Sequence, residues 1–282
     1  MDLEPVFLIG AGRSGTKILR DLLGGSPEAA VVPFDVNYIW RFGADAAADD
    51  ALSPADLSDE RRGWIRKRLL AYARRNATLQ SRVMIEKTVS NTLRVDFLEA
   101  VFPGAKYIHL LRDGRAVSES SRRVWNDKPS LRYSLSKLRY YPLGNPAYLV
   151  NAVRSRYLNN EARPHVWGPR YPGVFEDMKS KPLLSVCALQ WQHCVLHARE
   201  GLSRIPAERQ LQIRYEDFVQ GFDELGKACA FLDLDPAPVR AGYEKRIRPS
   251  NAEKWKTLLS TEEIDQLNEL LGETLAQCSY PV

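Results

Sequence analysis

The chain has 282 residues, 44% of them hydrophobic and 27% charged, and a formal net charge of +5. That length carries one large α/β domain with a full core, and the modest positive charge suits an anionic ligand while being too small and too dispersed for nucleic-acid binding. Four scattered histidines, and four cysteines without a C-x-x-C pair, exclude a metal cluster of ordinary spacing.

In chain order, the apolar run Val6-Phe7-Leu8-Ile9 predicts a first strand. The glycine-rich stretch Gly10 to Lys17 is a tight turn opening a helix, whose inner face is Ile18, Leu19, Leu22 and Leu23 and which ends at Gly24-Gly25. Val31-Val32 forms a short second strand leading to Pro33-Phe34-Asp35, and the Ala/Asp-rich residues 43–56 read as a loop. A helix follows with Trp64, Ile65, Arg68, Leu69 and Tyr72 on one side. Its arginines (61, 62, 66, 74 and 75) form a face that is either solvated or a landing surface for an acidic acceptor.

Arg82 to Glu86 and Ala105 to Leu111 are the next strands, separated by a crossover helix that includes Asp96 to Val101. Strands alternating with helices in this way imply a parallel sheet. Arg112-Asp113-Gly114-Arg115 then opens a helix through Ser121. Residues 125–182, rich in Pro, Tyr, Arg and Trp, are too long for a simple connection and read as a helical, aromatic-rich lid over an acceptor site.

Leu184, Cys187, Trp191, Cys194 and Ala198 mark a long core helix, and Leu211 to Tyr215 a late strand. Phe218, Phe222, Leu225, Cys229 and Leu232 mark one further helix. Ser260-Thr261-Glu262-Glu263 is a capping box before the last helix, with Ile264, Leu267 and Leu271 inward. Cys187, Cys194 and Cys229 fall on apolar helix faces and are read as buried free thiols. The whole is a single domain, residues 1–282, of P-loop-like three-layer α/β/α class with a central parallel sheet.

The turn after the first strand carries the strongest chemical signal. Free N–H groups at a helix start favour an anion, and Arg13, Ser14, Thr16 and Lys17 bring charge and hydroxyl donors to the same place. A Walker-A loop needs G-x-x-x-x-G-K-[ST]; Gly10 and Gly15 have that spacing, but Thr16-Lys17 reverses the required order. The loop therefore looks like a relative of the P-loop that does not depend on a magnesium-bound triphosphate. At the carboxyl end of the 105–111 strand, where open α/β sheets bind ligands, Arg112 and Ser120 form a second phosphate grip. An exposed basic turn with Asp113 as helix cap reads the same residues differently.

Together these stretches resemble the sulfotransferases that use 3′-phosphoadenosine 5′-phosphosulfate (PAPS). The resemblance makes Gly12-Arg13-Ser14-Gly15-Thr16-Lys17 the 5′-phosphosulfate loop and Arg112 with Ser120 the 3′-phosphate motif. Val83 to Thr88 and Phe102 to Ala116 look most like the tyrosylprotein sulfotransferase branch and its soluble bacterial relatives. Arg214-Tyr215-Glu216-Asp217-Phe218 resembles the family's late strand and Tyr-Glu pair. Ile247 to Asn251, with Lys254-Trp255, resembles its C-terminal cofactor-covering segment. Many members have a hydroxyl residue where Lys17 stands, and the catalytic Glu of the branch falls at about Phe34, next to Asp35.

The resemblance implies sulfuryl transfer from PAPS, with PAP as product and no metal, to a hydroxyl or secondarily an amine of an acceptor such as a saccharide, a small metabolite or a tyrosine. Arg13, Lys87 and Asp35 are the candidate catalytic residues. Arg13 and Lys87 neutralise the leaving and transferring groups, and Asp35 is the general base. Glu86 is the reserve base, although strand alternation points it opposite Lys87. Tyr215 and Arg248 join the cofactor contacts, Arg122 and Arg123 are possible helpers, and His109 reads as a core histidine. Segments 41–80 and 125–182 would carry acceptor choice. Two other classes remain open: an ATP- and magnesium-dependent small-molecule kinase, with Leu110 to Asp113 as a degenerate Walker-B end, and a non-catalytic nucleotide-binding protein. The absence of a leader or an apolar run of about 18 residues predicts a cytoplasmic, bacterial-type protein, with neither nucleic acid nor membrane as partner.

Overall fold

The computed structural model describes residues 2–45, 48–125, 166–249 and 252–282. Five strands form one parallel sheet: β1 (Glu4–Ile9), β2 (Ala29–Val31), β3 (Val83–Glu86), β4 (Lys106–Leu111) and β5 (Gln210–Arg214), in spatial order β2-β3-β1-β4-β5. The central strand β1 sets Phe7 opposite Glu86 of β3 on one side and opposite Tyr107 of β4 on the other. Because every crossover is parallel, all carboxyl ends lie along one edge, and that edge is where ligands of such sheets sit.

Alternation along the strands divides the core. Val6, Leu8, Val83, Ile85, Ile108, Leu110 and Ile213 pack on one face, and Phe7, Ile9, Met84 and Tyr107 on the other. The first face is covered by α1 (Thr16–Leu23), α8 (Tyr215–Gln220), α9 (Asp223–Leu232) and α10 (Pro236–Arg246). The second is covered by α2 (Asn37–Trp40), α3 (Asp59–Arg74) and α4 (Val95–Val101), with the far end of α7 (Leu183–Leu202). A third apolar cluster joins α5 (Gly114–Trp125), α6 (Val174–Ser180), α7, α11 (Trp255–Leu258) and α12 (Thr261–Gln277). Sheet faces covered on both sides make near-continuous apolar strands, which is how β1 and β4 read in the sequence.

One expectation needs revision, and one helix was not anticipated. The single helix expected from Phe218 to Leu232 is two, α8 and α9, because Gly221 is fully extended (φ −161°, ψ 171°) and ends the first. Helix α10 lay outside the sequence reading although its signals are present: Asp235 caps it, its carboxylate accepting the Ala237 amide at 2.9 Å, and Pro236 occupies the first turn. The capping box at Ser260 and Glu263 forms as expected. All four cysteines are buried and free, and burial pushes the Cys187 and Cys194 thiols up to about 12. Most of the expected lid, residues 126–165, lies outside the described residues. Among the described residues no helix is long and apolar enough to cross a membrane.

Candidate active site

The turn after β1 is shaped by close approach. A Cβ at Gly10 would stand 2.7 Å from the Leu110 carbonyl oxygen. Gly15 has φ +94°, and a Cβ there would lie 2.6 Å from the Tyr215 ring. Arg13 takes the left-handed conformation too, at φ 69°, a cost of roughly 1–2 kcal/mol for a residue with a side chain. Two contacts hold it there. Its Nε donates to Ser120 Oγ at 3.0 Å, and its carbonyl accepts from Arg112 Nη1 at 2.9 Å. The loop from β1 is thus latched to both ends of the Arg112–Ser120 motif.

The turn after β4 is fixed from behind. The Trp191 indole N–H of α7 donates to the Arg112 carbonyl at 3.0 Å. Glu216 accepts the Asp113 amide at 3.1 Å and the Tyr280 hydroxyl at 2.8 Å. Tyr215, the neighbour of Glu216, puts its ring 4.1 Å from the Arg112 guanidinium carbon. Asp113 caps α5 by accepting the Arg115 amide at 2.8 Å and pairs with the Arg115 guanidinium at 2.8 Å. Its carboxylate is therefore engaged on its own turn, which gives the Walker-B alternative no support.

A cavity of about 280 Å³ opens where these turns meet, lined by Arg13, Arg112, Ser120, Tyr215 and the C-terminal Lys254 and Trp255, with Ala116, Glu119 and Arg123 of α5 completing it. Four cationic side chains face one carboxylate, Glu119, which is buried and pairs with Arg123 Nε at 2.5 Å. The Arg13 guanidinium is held below its ordinary value by burial and then by repulsion from Arg112 and Arg123. Such crowding of like charge is relieved by an anion, so the residues fit a phosphate-bearing ligand.

Further along the same edge, Lys87 follows β3 directly and Asp35 follows β2. Lys87 Nζ lies 2.5 Å from Asp35 Oδ1, with the lysine side chain 9% exposed and the carboxylate 32%. Neither lines the cavity; they form a separate pair across β1 from it. Glu86 points to the opposite side of the strand, as alternation requires, and is wholly buried. Its two oxygens accept from Thr88 Oγ1 at 2.5 Å and Asn91 Nδ2 at 2.7 Å, and burial raises its carboxyl to about 7.

The other expected residues are more dispersed. Gly12 and Ser14 are buried in the loop, and Thr16 is buried at the start of α1. Lys17 is exposed one residue on, and Arg248 is exposed with its guanidinium donating to the Ile247 carbonyl at 2.7 Å; neither lines the cavity. His109 is buried, which depresses it to about 4. Arg122 pairs with Glu263 rather than facing the cavity, whereas Arg123 does face it.

The basic face of α3 is exposed at Arg66, Arg74 and Arg75, while Arg61 is buried and donates to the Trp40 carbonyl; Arg66 also donates to the Val101 carbonyl, and Arg75 lies over Tyr72. Sequence reading missed Glu119 and Asp50, and gave Trp167 only as one of the aromatics of the expected lid. Trp167 sits 3.4 Å from where a Gly12 Cβ would be and 6.4 Å, ring to ring, from Trp125. Asp50, in the supposed loop, is 1% exposed and collects Asn37, Arg41, Ser90 and Arg170 as donors. Only tertiary contacts reveal it, since a lone Asp in an Ala/Asp-rich stretch reads as solvated. Among the described residues no group of His, Cys, Asp and Glu is placed to hold a metal ion.

A parallel sheet with a glycine-bent loop after its central strand, and a basic cavity at the carboxyl edge, defines a P-loop-like α/β protein. The profile of the sulfotransferase family matches residues 5–163, more than half of the chain, and the chain belongs to that family. It is similar to the nodulation protein NoeE of Sinorhizobium fredii, 24% identical over 97% of this chain and 66% of that protein, so it spans just under two thirds of that relative's length. Its fold is similar to the sulfotransferase domain from the curacin biosynthetic pathway, at TM-score 0.55 and 18% identity over 100% of this chain and 99% of that one. It is also similar to a sulfotransferase from Alicyclobacillus acidocaldarius, at TM-score 0.53 and 15% identity over 100% and 98%.

Proposed function

We propose that this chain transfers a sulfuryl group from PAPS to an acceptor hydroxyl, with PAP as the other product. The observation that carries this reading is the gathering of Arg13, Arg112, Arg123 and Lys254 around one cavity beside the Gly15 turn. PAPS supplies the sulfuryl group on its 5′-phosphate and carries a second, separate phosphate at the 3′ position. The Gly12 to Thr16 turn and the Arg13 guanidinium hold the 5′ side, with Lys17 exposed at its edge; Arg112 and Ser120 hold the 3′ side. Tyr215 and Trp255 line the cavity between charged groups and give a nucleoside apolar faces to rest on.

Lys87 and Asp35 act as an exchangeable pair. When a negatively charged donor is in place, the Lys87 ammonium moves its interaction toward the transferring group, and Asp35 is left to accept the acceptor's hydroxyl proton. The acceptor oxygen forms its bond to sulfur as the bond from sulfur to the 5′-phosphate oxygen breaks. The electron pair leaves on that phosphate, whose charge Arg13 and Lys87 offset. The half-buried Trp167 ring beside Gly12, backed by Trp125, offers an aromatic surface of the kind on which sugar and phenol rings pack, so a saccharide, a small metabolite or a tyrosine suits the acceptor side.

Calorimetric titration tests the donor. PAP in EDTA should bind the wild type, and Arg112→Ala should weaken it by roughly 10- to 150-fold, the loss of a charge-assisted contact worth about 1.5–3 kcal/mol. Binding of magnesium-ATP with no binding of PAP would overturn the proposal.

A further inference from the structure

The short stretch Asp35-Val36-Asn37 is tied down at three consecutive residues, each by a different partner. Asp35 pairs with Lys87 at 2.5 Å. The Val36 amide donates to Thr88 Oγ1 at 3.0 Å. The Asn37 side chain accepts from Arg94 Nη2 at 2.7 Å and donates to Asp50 Oδ1 at 3.1 Å. Thr88 is the hinge of this arrangement. Its hydroxyl oxygen accepts from Val36 while its hydrogen goes to Glu86 Oε1, 2.5 Å away. A threonine hydroxyl has one hydrogen and rotates to suit its surroundings; with that hydrogen given to Glu86 Oε1 on one side, the lone pairs turn toward the amide on the other.

Glu86 is itself held. Asn91 Nδ2 donates to its second oxygen at 2.7 Å, and Asn91 Oδ1 accepts from Arg94 Nε at 2.9 Å. Glu86, Thr88, Asn91 and Arg94 are all at most 2% exposed. Buried polar groups joined into a saturated chain hold one geometry more firmly than isolated contacts do. The chain costs desolvation at Glu86 and Arg94, and nothing in the strand's packing requires a carboxylate on that face, where its neighbour along the strand is Met84.

We propose that Thr88 and Glu86 are positioning residues for the reaction: Glu86 orients the Thr88 hydroxyl, Thr88 holds the Val36 amide, and the amide keeps Asp35 against Lys87. This rests on the reading of Asp35 and Lys87 as the reacting pair. It assigns the reserve base of the sequence a task it can perform from the buried side of β3, without touching donor or acceptor.

Acetic anhydride labelling of Lys87, read by mass spectrometry and normalised to the exposed Lys67 and Lys245, tests it. The Lys87 side chain is only 9% exposed and its ammonium is held against Asp35, so releasing it lets the amine reach the reagent. Asp35→Asn should therefore label Lys87 several-fold faster. Thr88→Val removes the hydroxyl at nearly constant volume and should give a similar rise, as should Glu86→Ala, while Thr88→Ser stays at the wild-type rate. PAP affinity, measured on the same samples, should be unchanged in Thr88→Val, which separates local repositioning from unfolding. Wild-type labelling in Thr88→Val, with fast labelling in Asp35→Asn, overturns the positioning role and leaves the pair standing. Wild-type labelling in Asp35→Asn overturns the pair and the proposal with it. Loss of PAP binding in the wild type would instead count against the donor assignment.

Discussion

Asp50→Asn is the perturbation for which the structure sets the largest expected stability effect. Asp50 Oδ1 accepts from Arg41 at 3.0 Å, Arg170 Nη2 at 3.1 Å and Asn37 at 3.1 Å; Oδ2 accepts from Ser90 at 2.8 Å and the Arg170 amide at 3.0 Å. An asparagine must turn its NH2 toward one of these sets of donors, and it removes the charge that balances Arg41, Arg94 and Arg170. Burial works against the carboxylate, but Arg170 and Arg94 outweigh it and hold Asp50 at about 2, against an ordinary 3.8. That displacement alone corresponds to about 2–3 kcal/mol above pH 4.

Stranding the guanidiniums brings the expected loss to about 3–5 kcal/mol. At about 2–4 °C per kcal/mol for a chain of this order, the Tm should fall by roughly 6–20 °C. Scanning calorimetry at pH 7 measures it. The folded-state value is depressed, so the wild-type advantage is complete above about pH 4 and shrinks as pH falls toward 2. A Tm within about 2 °C of wild type at pH 7, or a gap that widens on acidification, would refute the reasoning.

Three further outcomes follow from the same geometry. Gly15→Ala combines a φ of +94° with a contact at 2.6 Å, and should cost about 2–4 kcal/mol in urea unfolding and lower PAP affinity more than about tenfold; wild-type PAP binding would count against the Gly15–Tyr215 contact as a determinant of the loop. Glu86 is raised from 4.5 to about 7 by burial, so the folded state holds its proton over that interval and loses stability as pH climbs through it. Glu86→Gln should remove that slope, and urea unfolding at pH 5 and 8 should show the variant gaining on wild type at the higher pH. Cys187 and Cys194, with thiols near 12, should stay unreactive to a disulfide reagent at pH 8 until denaturant is added; prompt modification of either in the native protein would contradict their burial.

How much could be read in advance depended on whether a signal was local. The β1 turn, the Arg112 strand end and the Ser260 capping box are written in adjacent residues, and the parallel sheet follows from alternating apolar runs. Glu86 and Lys87 fall on opposite sides of β3 because a strand leaves no other choice. Asp35 and Lys87 are each candidates in the sequence, but their pairing joins positions 52 apart and is not legible there. Asp50 gave no warning, because its partners come from α2, from the turn before α4 and from residue 170. The α3 arginines divide: Arg66, Arg74 and Arg75 are exposed as a solvated stripe would be, whereas Arg61 is buried, and exposed Arg66 still reaches the Val101 carbonyl and the Phe102 ring.

The carboxyl edge has one further property. Each of its five strands ends near one residue of the candidate site, and in spatial order these are Asp35, Lys87, Arg13, Arg112 and Tyr215. The β1 loop divides the row: in the proposed function the two residues on the β2 and β3 side would handle the acceptor's proton and the moving group, and the two on the β4 and β5 side would grip the nucleotide. On that reading acceptor preference would vary through the chain around β2 and α3 and through the Trp125–Trp167 side, while the Arg112 and Tyr215 strand ends stay fixed by the shared donor.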